Sequence, residues 1–394
     1  MLHDGQKAAL LGAQRFNVIP CGRRWGKTVM GIALAYYGAP HAPGGLAQGF
    51  DVGWFAPTYK LFDEAWRTAK SFLAPVSTRV DGAHNRIEVG RSAMDFWNLS
   101  EDVGRGRKYG LAIIDEAAIA PGLKTSWEEA IRPTLTDHRG GAWFFSTPKG
   151  MDYFHELFQR GQSPDFPAWA QYQAPTANNP RIPPDEIEAA RGDLPELVFR
   201  QEYLAEFVTF GAGLVKPEHL IAGTAPSGLP IVLGVDLAIS EREGADWTAI
   251  VAMSRDPASG IVYVREVERH RAGFAQVLER IKDAAARHNP ILIAVEQVQY
   301  QAAVVQELTR TTRLPVRGVR PDRDKLTRFL PLLTRYEQGQ IRHDPSGVPA
   351  WFRDELLSFP EGPHDDGCDA AALAWATLGK AAPSYAGIAS RSIT

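Results

Sequence analysis

Lys27 and Thr28 close the stretch Cys21-Gly22-Arg23-Arg24-Trp25-Gly26-Lys27-Thr28, which lies between a short apolar run, Phe16 to Pro20, and a helix-like run, Val29 to Tyr37. A strand, a tight glycine-bearing turn and a helix start aim backbone N–H groups and the positive end of a helix dipole at one point, where an anion binds. In such a loop the lysine reaches the β- and γ-phosphates of a nucleoside triphosphate, and the following hydroxyl binds Mg²⁺. Gly22, Arg23, Arg24, Trp25 and Gly26 would line the phosphates beside Lys27 and Thr28. The strict pattern wants glycine where this chain has Cys21, with Gly22 next. The competing explanation is a chance Gly-Lys-Thr in a turn.

Two further strand ends carry matching chemistry. The run Leu111-Ala112-Ile113-Ile114 is apolar throughout, as in a central strand buried on both faces, and it ends in Asp115-Glu116. Open α/β sheets bind their ligands at the C-terminal ends of the strands. There Asp115 could hold Mg²⁺ through water and Glu116 could polarise an attacking water; acids that merely cap the next helix are the alternative. A third run, Ala142 to Phe145, ends in Ser146-Thr147-Pro148-Lys149-Gly150. Its hydroxyls fall at the same sheet edge, near a γ-phosphate, although Pro148 and Gly150 suit an ordinary turn equally well.

The second half holds a different set of acids. Asp236 ends the apolar run Ile231 to Val235, Glu296 ends Ile291 to Val295, and Asp365, Asp366 and Asp369 open an alanine-rich helix reaching about Leu378. An acid on a buried strand is costly unless it is paired or metal-bound. Several of them suggest one shared cation site; the arrangement resembles that of ribonuclease-H-like nucleases, and this resemblance implies two Mg²⁺ or Mn²⁺ ions that would clamp the attacking and leaving oxygens of a phosphodiester. Hard oxygen donors suit those cations, and the lack of Cys/His spacing argues against zinc. Asp236, Glu296 and Asp366 are the first choices; Asp369, three residues on along the same helix face, assists or replaces Asp366, Asp365 comes next, and Asp246 could bind an outer-shell water. Between the two strand acids and the last helix, Arg317, Arg320, Arg323, Lys325 and Arg328 crowd twelve positions and could follow a DNA backbone without reading sequence.

The elements that must position these groups follow from patterning. Strands are expected at Asp51 to Ala56, Arg86 to Val89, Ala93 to Leu99, Ala249 to Ser254 and Ile261 to Glu266, with helices at Leu61 to Leu73 and along Phe274, Val277, Leu278, Ile281 and Ala285. Pro164 to Phe207, punctuated by prolines, reads as mostly helical, with helices at Asp185 to Ala190 and Pro195 to Leu204. At 394 residues the chain is too long for one ordinary core. Its 44% hydrophobic and 23% charged residues are those of a soluble globular protein, and no apolar run approaches a membrane span. The first residues show no secretory signal, and two cysteines far apart, Cys21 and Cys368, fit a reducing cytosol. A net charge of −3 confines any DNA contact to local basic patches.

The order Arg-Arg-Trp-Gly-Lys-Thr, Ile-Ile-Asp-Glu-Ala and Ser-Thr-Pro-Lys-Gly, with Phe154 and Phe158 after it, resembles the large terminase subunit of tailed bacteriophages from about Gln6 to Leu378. That family joins an additional-strand, helicase-like P-loop ATPase to a ribonuclease-H-like nuclease. The resemblance implies an α/β fold of two domains, one built on a parallel P-loop sheet and one on a mixed ribonuclease-H-like sheet. It implies an ATPase core over 1–162, a linker subdomain over 163–210, a connection over 211–230, the nuclease over 231–382 and a flexible tail over 383–394. Loops of the family commonly lack the first glycine and carry an arginine, which turns Cys21 from a departure into a family trait.

The same resemblance assigns further roles. A glutamine near the N-terminus contacts adenine, with Gln14 preferred over Gln6. An arginine stabilises the ATPase transition state, with Arg24, Arg105 and Arg107 as candidates. Ser146 and Thr147 couple nucleotide state to movement, and Arg320, Lys325 and Arg328 contact DNA phosphates near the nuclease site. ATP hydrolysis would drive double-stranded DNA into a procapsid, and the nuclease would cut concatemers. The implied partners are the portal protein, the small terminase subunit and further copies of the chain in a ring, usually of five, in the host cytoplasm; the chain could be monomeric in solution. A domesticated prophage or gene-transfer-agent version would have the same chemistry. Rival readings are a helicase or repair ATPase whose second domain only binds nucleic acid, and an assembly protein with degenerate sites.

Overall fold

The computed structural model of the chain describes residues 2–42, 44–99, 103–211, 213–238, 247–297, 301–321 and 323–378. Asp246 and the tail 383–394 lie outside the described residues. The chain divides into two units, Met1–Thr209 and Phe210–Thr394. Among the described residues no helix is long and apolar enough to cross a membrane.

The first unit is built on an eight-stranded sheet: β1 (Phe16–Pro20), β2 (Val52–Ala56), β3 (Arg79–Asp81), β4 (Arg86–Val89), β5 (Ser92–Asn98), β6 (Leu111–Asp115), β7 (Gly141–Ser146) and β8 (Trp169–Gln171), in the order β3-β4-β5-β2-β6-β7-β1-β8. From β5 to β8 every pairing is parallel; β3 and β4 form an antiparallel extension. Apolar residues occupy both faces, because helices cover both. Ile19, Trp54, Ile113 and Phe145 join Met30 of α2 (Lys27–Tyr37) and Phe62 of α3 (Tyr59–Leu73) in one core. Val18, Phe55, Ile114 and Phe144 face the opposite core, with Trp127 and with Phe154 and Leu157 of α4 (Tyr153–Gln162). The order puts β7 between β1 and β6, so the ends of all three strands lie side by side.

The second unit has six strands: β9 (Ile231–Asp236), β10 (Thr248–Arg255), β11 (Val262–His270), β12 (Leu292–Glu296), β13 (Val316–Val319) and β14 (Ile341–His343), ordered β13-β12-β9-β10-β11-β14. β9, β10 and β11 form an antiparallel meander, while β12 runs parallel to β9 and β13 parallel to β12. One face packs on Val277 and Ile281 of α7 (Phe274–His288) and on Val304 and Leu308 of α8 (Ala302–Thr311). The helices α9 (Lys325–Glu337), α10 (Ala350–Ser358) and α11 (Asp366–Leu378) follow. This is the expected α/β pair, one P-loop-type parallel sheet and one mixed ribonuclease-H-like sheet.

Each expected strand and helix named above is present, with ends shifted by a few residues. The reading of Pro164 to Phe207 as mostly helical is corrected. Besides α5 (Pro184–Asp193) and α6 (Glu196–Glu202), this segment supplies β8, which extends the sheet beside β1. Trp169 of β8 stacks on Phe144 and lies edge-on to Trp127; burial of these rings, a long-range effect, outweighs the local pattern.

Gly234, in the middle of β9, is where α11 crosses closest. A Cβ there would strike the carbonyl oxygen of Ala370 and lie 2.7 Å from the nitrogen of Ala374. Gly234→Ala is therefore expected to force α11 off the sheet and to destabilise the second unit by about 3 kcal/mol. Urea unfolding followed by circular dichroism, with an unchanged transition for the first unit, checks this.

Candidate functional site

In the first unit the strand ends converge as their order requires. The Lys27 ammonium donates to Glu116 Oε1 at 2.5 Å and to the Thr147 hydroxyl at 3.4 Å. Ser146 Oγ lies 3.4 Å from Glu116 Oε2 and donates to the Thr147 carbonyl at 2.9 Å. Lys27, Glu116, Ser146 and Thr147, from three non-adjacent segments, thus form one connected polar group. Asp115 is buried behind it and accepts from the Glu116 N–H at 3.1 Å. Burial, and next the Glu116 charge, push the Asp115 carboxyl up to about 7, against the pull of Lys27. Burial, the largest influence, lowers the Lys27 ammonium, but the Glu116 carboxylate and its other neighbours together hold the group above its ordinary range. Glu116 has φ 52°, a left-handed turn that brings its side chain back over the strand end.

The loop at 21–26 is lashed from outside rather than self-supporting. The N–H groups of Cys21, Gly22 and Arg23 donate to the carbonyls of Ser146, Ala174 and Glu202. Thr176 Oγ1 donates to the Arg23 carbonyl at 2.8 Å and Asn179 Nδ2 to that of Arg24 at 2.7 Å. A side chain at Gly22 would meet the Tyr203 carbonyl at 2.6 Å, which is why glycine stands there. Gly26 (φ 103°) then turns the chain into α2, whose first turn has no side-chain cap, so its orphan N–H groups can meet an anion. Thr28 follows Lys27 in that first turn.

Several expected nucleotide contacts are placed differently. Arg23 is ion-paired with Glu202. Trp25 is fully buried in the core beside His3, so its side chain anchors the loop. The N–H groups of Gly22 and Arg23 already have carbonyl acceptors. The glutamine beside the loop is Gln6, which donates to the Gly26 carbonyl at 3.0 Å from α1 (Asp4–Leu11). Gln14 instead has its backbone clasped by the Asn17 side chain. Arg24 is exposed. Arg105 and Arg107 line an open cleft of about 380 Å³ with Glu129, Pro133 and Thr134. Arg107 Nε lies 3.7 Å from buried Asp95, which also bonds Arg86 and Tyr109.

In the second unit, Val235 pairs with Val295, which sets Asp236 and Glu296 side by side at the ends of β9 and β12. α11 brings buried Asp366 and Asp369 to the same place. Burial first, then the charges of Asp369, Glu296 and Asp366, push the Asp236 carboxyl well above the usual range, while Lys325 opposes them. Asp369 is raised to about 6 by burial, against Arg328 and Lys325. Cys368 N–H donates to buried Glu355 of α10, which caps α11 in place, a role the sequence pattern did not reveal.

The basic residues expected to meet DNA are also relocated. Arg328 forks onto Glu296 Oε1 and Asp369 Oδ1, both at 3.2 Å. Lys325 bonds both oxygens of Asp365 at 2.8 Å and lies 3.3 Å from Asp369. Arg320, just after β13, is exposed, as is the Lys325 side chain, whereas Arg328 is half-buried. The cause is electrostatic: the N-terminal turn of α9, capped by Asp324, faces an uncompensated set of carboxylates. Among the described residues no group of three or more His, Cys, Asp or Glu side chains is drawn together as metal ligands. The donor set is nonetheless all carboxylate, and the mutual repulsion at Asp236 fits a divalent cation of the Mg²⁺ or Mn²⁺ type.

Residues 233–377 match the family described as the terminase RNaseH-like domain. A large terminase subunit of Escherichia phage T5 is 28% identical over 219 residues, which span 52% of this chain and 48% of that protein. The chain thus spans about half the length of this curated relative. The large terminase of a thermophilic bacteriophage has a similar fold, with a TM-score of 0.61 at 13% identity over 95% of this chain and 97% of that one. The same thermophilic phage protein in complex with ADP gives a TM-score of 0.58 at 14% identity, over 93% and 94%.

The Asp115 carboxyl offers a test without any ligand. It titrates near 7 in the folded chain and near ~3.9 when unfolded, so the unfolded state binds fewer protons between those values and stability falls as pH rises through them. Asp115→Asn is expected to melt above wild type at pH 8 in EDTA, with the gap closing as the pH falls to ~4. Differential scanning calorimetry reads this; an equal melting temperature across the range would contradict it.

Proposed function

We propose that the chain is a large terminase subunit, a DNA-packaging motor whose first unit hydrolyses ATP and whose second cuts DNA; the similarities to phage large terminases support this reading. The observation that carries this reading is the presence in one chain of two polar sites at strand ends: Lys27 bonded to Glu116 and Thr147, and Asp236 facing Glu296, Asp366 and Asp369.

At the first site Lys27, Thr28, Gly26 and Arg24 would hold the triphosphate of ATP. Asp115 and Thr28 would hold Mg²⁺, which supplies positive charge to the phosphates. The Lys27 ammonium exchanges Glu116 for phosphate oxygens, and this frees the Glu116 carboxylate to accept a proton from water. Ser146 and Thr147, bonded to the same two groups, report that exchange to β7. Gln6 suits the adenine contact better than Gln14 by its place beside the loop. Arg105 would act on a neighbouring subunit's nucleotide, its exposed loop and cleft supporting a role in trans.

At the second site Asp236, Glu296, Asp366 and Asp369 would hold two Mg²⁺ or Mn²⁺ ions, which activate water and neutralise charge on a phosphodiester. Arg328 and Lys325 pair with Glu296, Asp365 and Asp369 and would turn to phosphate oxygens once cations meet those carboxylates. Arg320 extends that contact along the backbone. The wider setting proposed is a ring of copies, five in number, on the portal of a procapsid in the host cytoplasm, with a small subunit that selects the double-stranded DNA. The domain limits proposed are an ATPase over 1–162 with its linker subdomain over 163–210, and a nuclease over 231–382 joined to it through 211–230.

Plasmid cleavage with Mn²⁺ and ATP turnover, measured on Lys27→Ala and Asp236→Asn, test both halves. Lys27→Ala is expected to lower turnover by at least ~100-fold and spare cleavage; Asp236→Asn is expected to abolish cleavage and spare turnover. A wild type that cuts no DNA with any divalent cation would remove the nuclease half.

A further inference from the structure

Three arginines gather at the edge of the first sheet that lies opposite the phosphate-binding loop. Arg15 immediately precedes β1, and Arg139 and Gly140 precede β7. The two strands run parallel, with Phe16 paired to Ala142, so both residues stand at the N-terminal edge of the sheet. Cys21 and Ser146 stand at the other, about 17 Å away along a strand of five residues. Arg132 joins the group through Phe16. Its guanidinium lies 4.9 Å from that ring's centroid and the Arg15 guanidinium 5.0 Å, so the two charges are within about one Debye length, ~10 Å, of each other. Arg15 Nε also donates to the carbonyl of Gly140, the neighbour of Arg139, at 2.9 Å. Arg15 and Arg132 are half-buried and Arg139 is exposed.

No carboxylate balances this charge. Among the described residues none of the three arginines forms an ion pair. The acids close to them in sequence are engaged elsewhere: Glu128 accepts from the Tyr153 hydroxyl, Asp137 pairs with Lys108, and Glu129 lines the cleft at Arg105. Burial, and then the charges of Arg132 and Arg139, hold the Arg15 guanidinium below its ordinary range. Arg139 also has φ 52°, a left-handed conformation in which glycine and asparagine are preferred. Like charges gathered without a counter-charge, one of them on an unfavourable backbone, cost stability and so point to an anion that the site is built to meet.

Guanidinium groups suit phosphate oxygens, which they meet with two parallel N–H donors, and Phe16 takes their faces rather than their edges. At a net charge of −3 the chain attracts a polyanion only where basic groups concentrate without acids. We propose that Arg15, Arg132 and Arg139 bind phosphates of the double-stranded DNA backbone, so that the first unit meets DNA at the sheet edge opposite its nucleotide site. The proposal rests on the packaging-motor reading and deepens it by naming where that unit holds its cargo. β1 and β7 begin at this cluster and end at the phosphate-binding loop and at Ser146-Thr147, which gives DNA and nucleotide separate seats on shared strands. Contacts to phosphates alone are indifferent to sequence.

The test uses the full chain and a fluorescein-labelled duplex in EDTA, which keeps the acid cluster of the second unit free of metal. Anisotropy is measured over a salt series for wild type, Arg132→Gln, Arg132→Lys and Arg139→Asn, and thermal melts are recorded on the same samples. Arg132→Gln and Arg139→Asn are each expected to weaken binding about 5- to 10-fold and to lower the slope of log affinity against log salt by about one; Arg132→Lys keeps that slope. Arg139→Asn is expected to melt no lower than wild type, because asparagine accepts the left-handed backbone, so its loss of binding is not a loss of fold. Unchanged affinity and slope in both charge-removing variants overturn the proposal and leave the cluster to an acidic protein surface. A wild type with no affinity for the duplex overturns it as well. ATP turnover by wild type without DNA is read separately: its absence would sink the motor reading, while a loss of binding at Arg132 and Arg139 would still stand.

Discussion

A carboxylate at the buried end of a strand costs several kcal/mol unless a cation or hydrogen-bond donors meet it, and both units are arranged around that cost. In the first, Glu116 and Asp115 share one ammonium, Lys27, delivered by the helix that the phosphate-binding loop begins. In the second, Glu296, Asp365 and Asp369 share Arg328 and Lys325, delivered by the first turn of α9. Each cation is held between acids rather than by one. The energetic condition for folding and the one for chemistry coincide in these pairs.

Backbone close approach is the second constraint. Gly22 lets the segment at 174–203 pass behind the phosphate-binding loop, and Gly234 lets α11 lie against β9. Neither glycine contributes a functional group. Each decides whether functional groups on different segments come within bonding distance. The edge strand β8 belongs to the same device, since it ties the clasp of the loop into the sheet through Phe16 to Val18.

The apolar runs that end in acids were legible as strands. An uninterrupted buried run that stops at Asp115-Glu116, Asp236 or Glu296 signals both period and chemistry in adjacent positions. The segment 164–207 was not legible, because its strand exists only by pairing with β1 and by burying Trp169 among aromatic rings. Gln6 and Gln14 could not be ranked from spacing, since both lie near the loop in sequence and only the packing of α1 brings one of them to Gly26. Glu355 was silent for a related reason: its partner lies on another segment, and no local pattern marks such a group.

The sequence by itself determined the two α/β units, the glycine-bearing turn before Lys27 and the acids that end strands or begin the last helix, because these rest on short-range periodicity and residue chemistry. Only the tertiary structure decided which cation meets which carboxylate. It placed Arg23 on Glu202 and buried Trp25, and it turned Lys325 and Arg328 toward Asp365, Asp369 and Glu296. Charge pairing acts through space over a few ångströms, and proximity of that kind is a property of the packed chain, which no stretch of sequence carries alone.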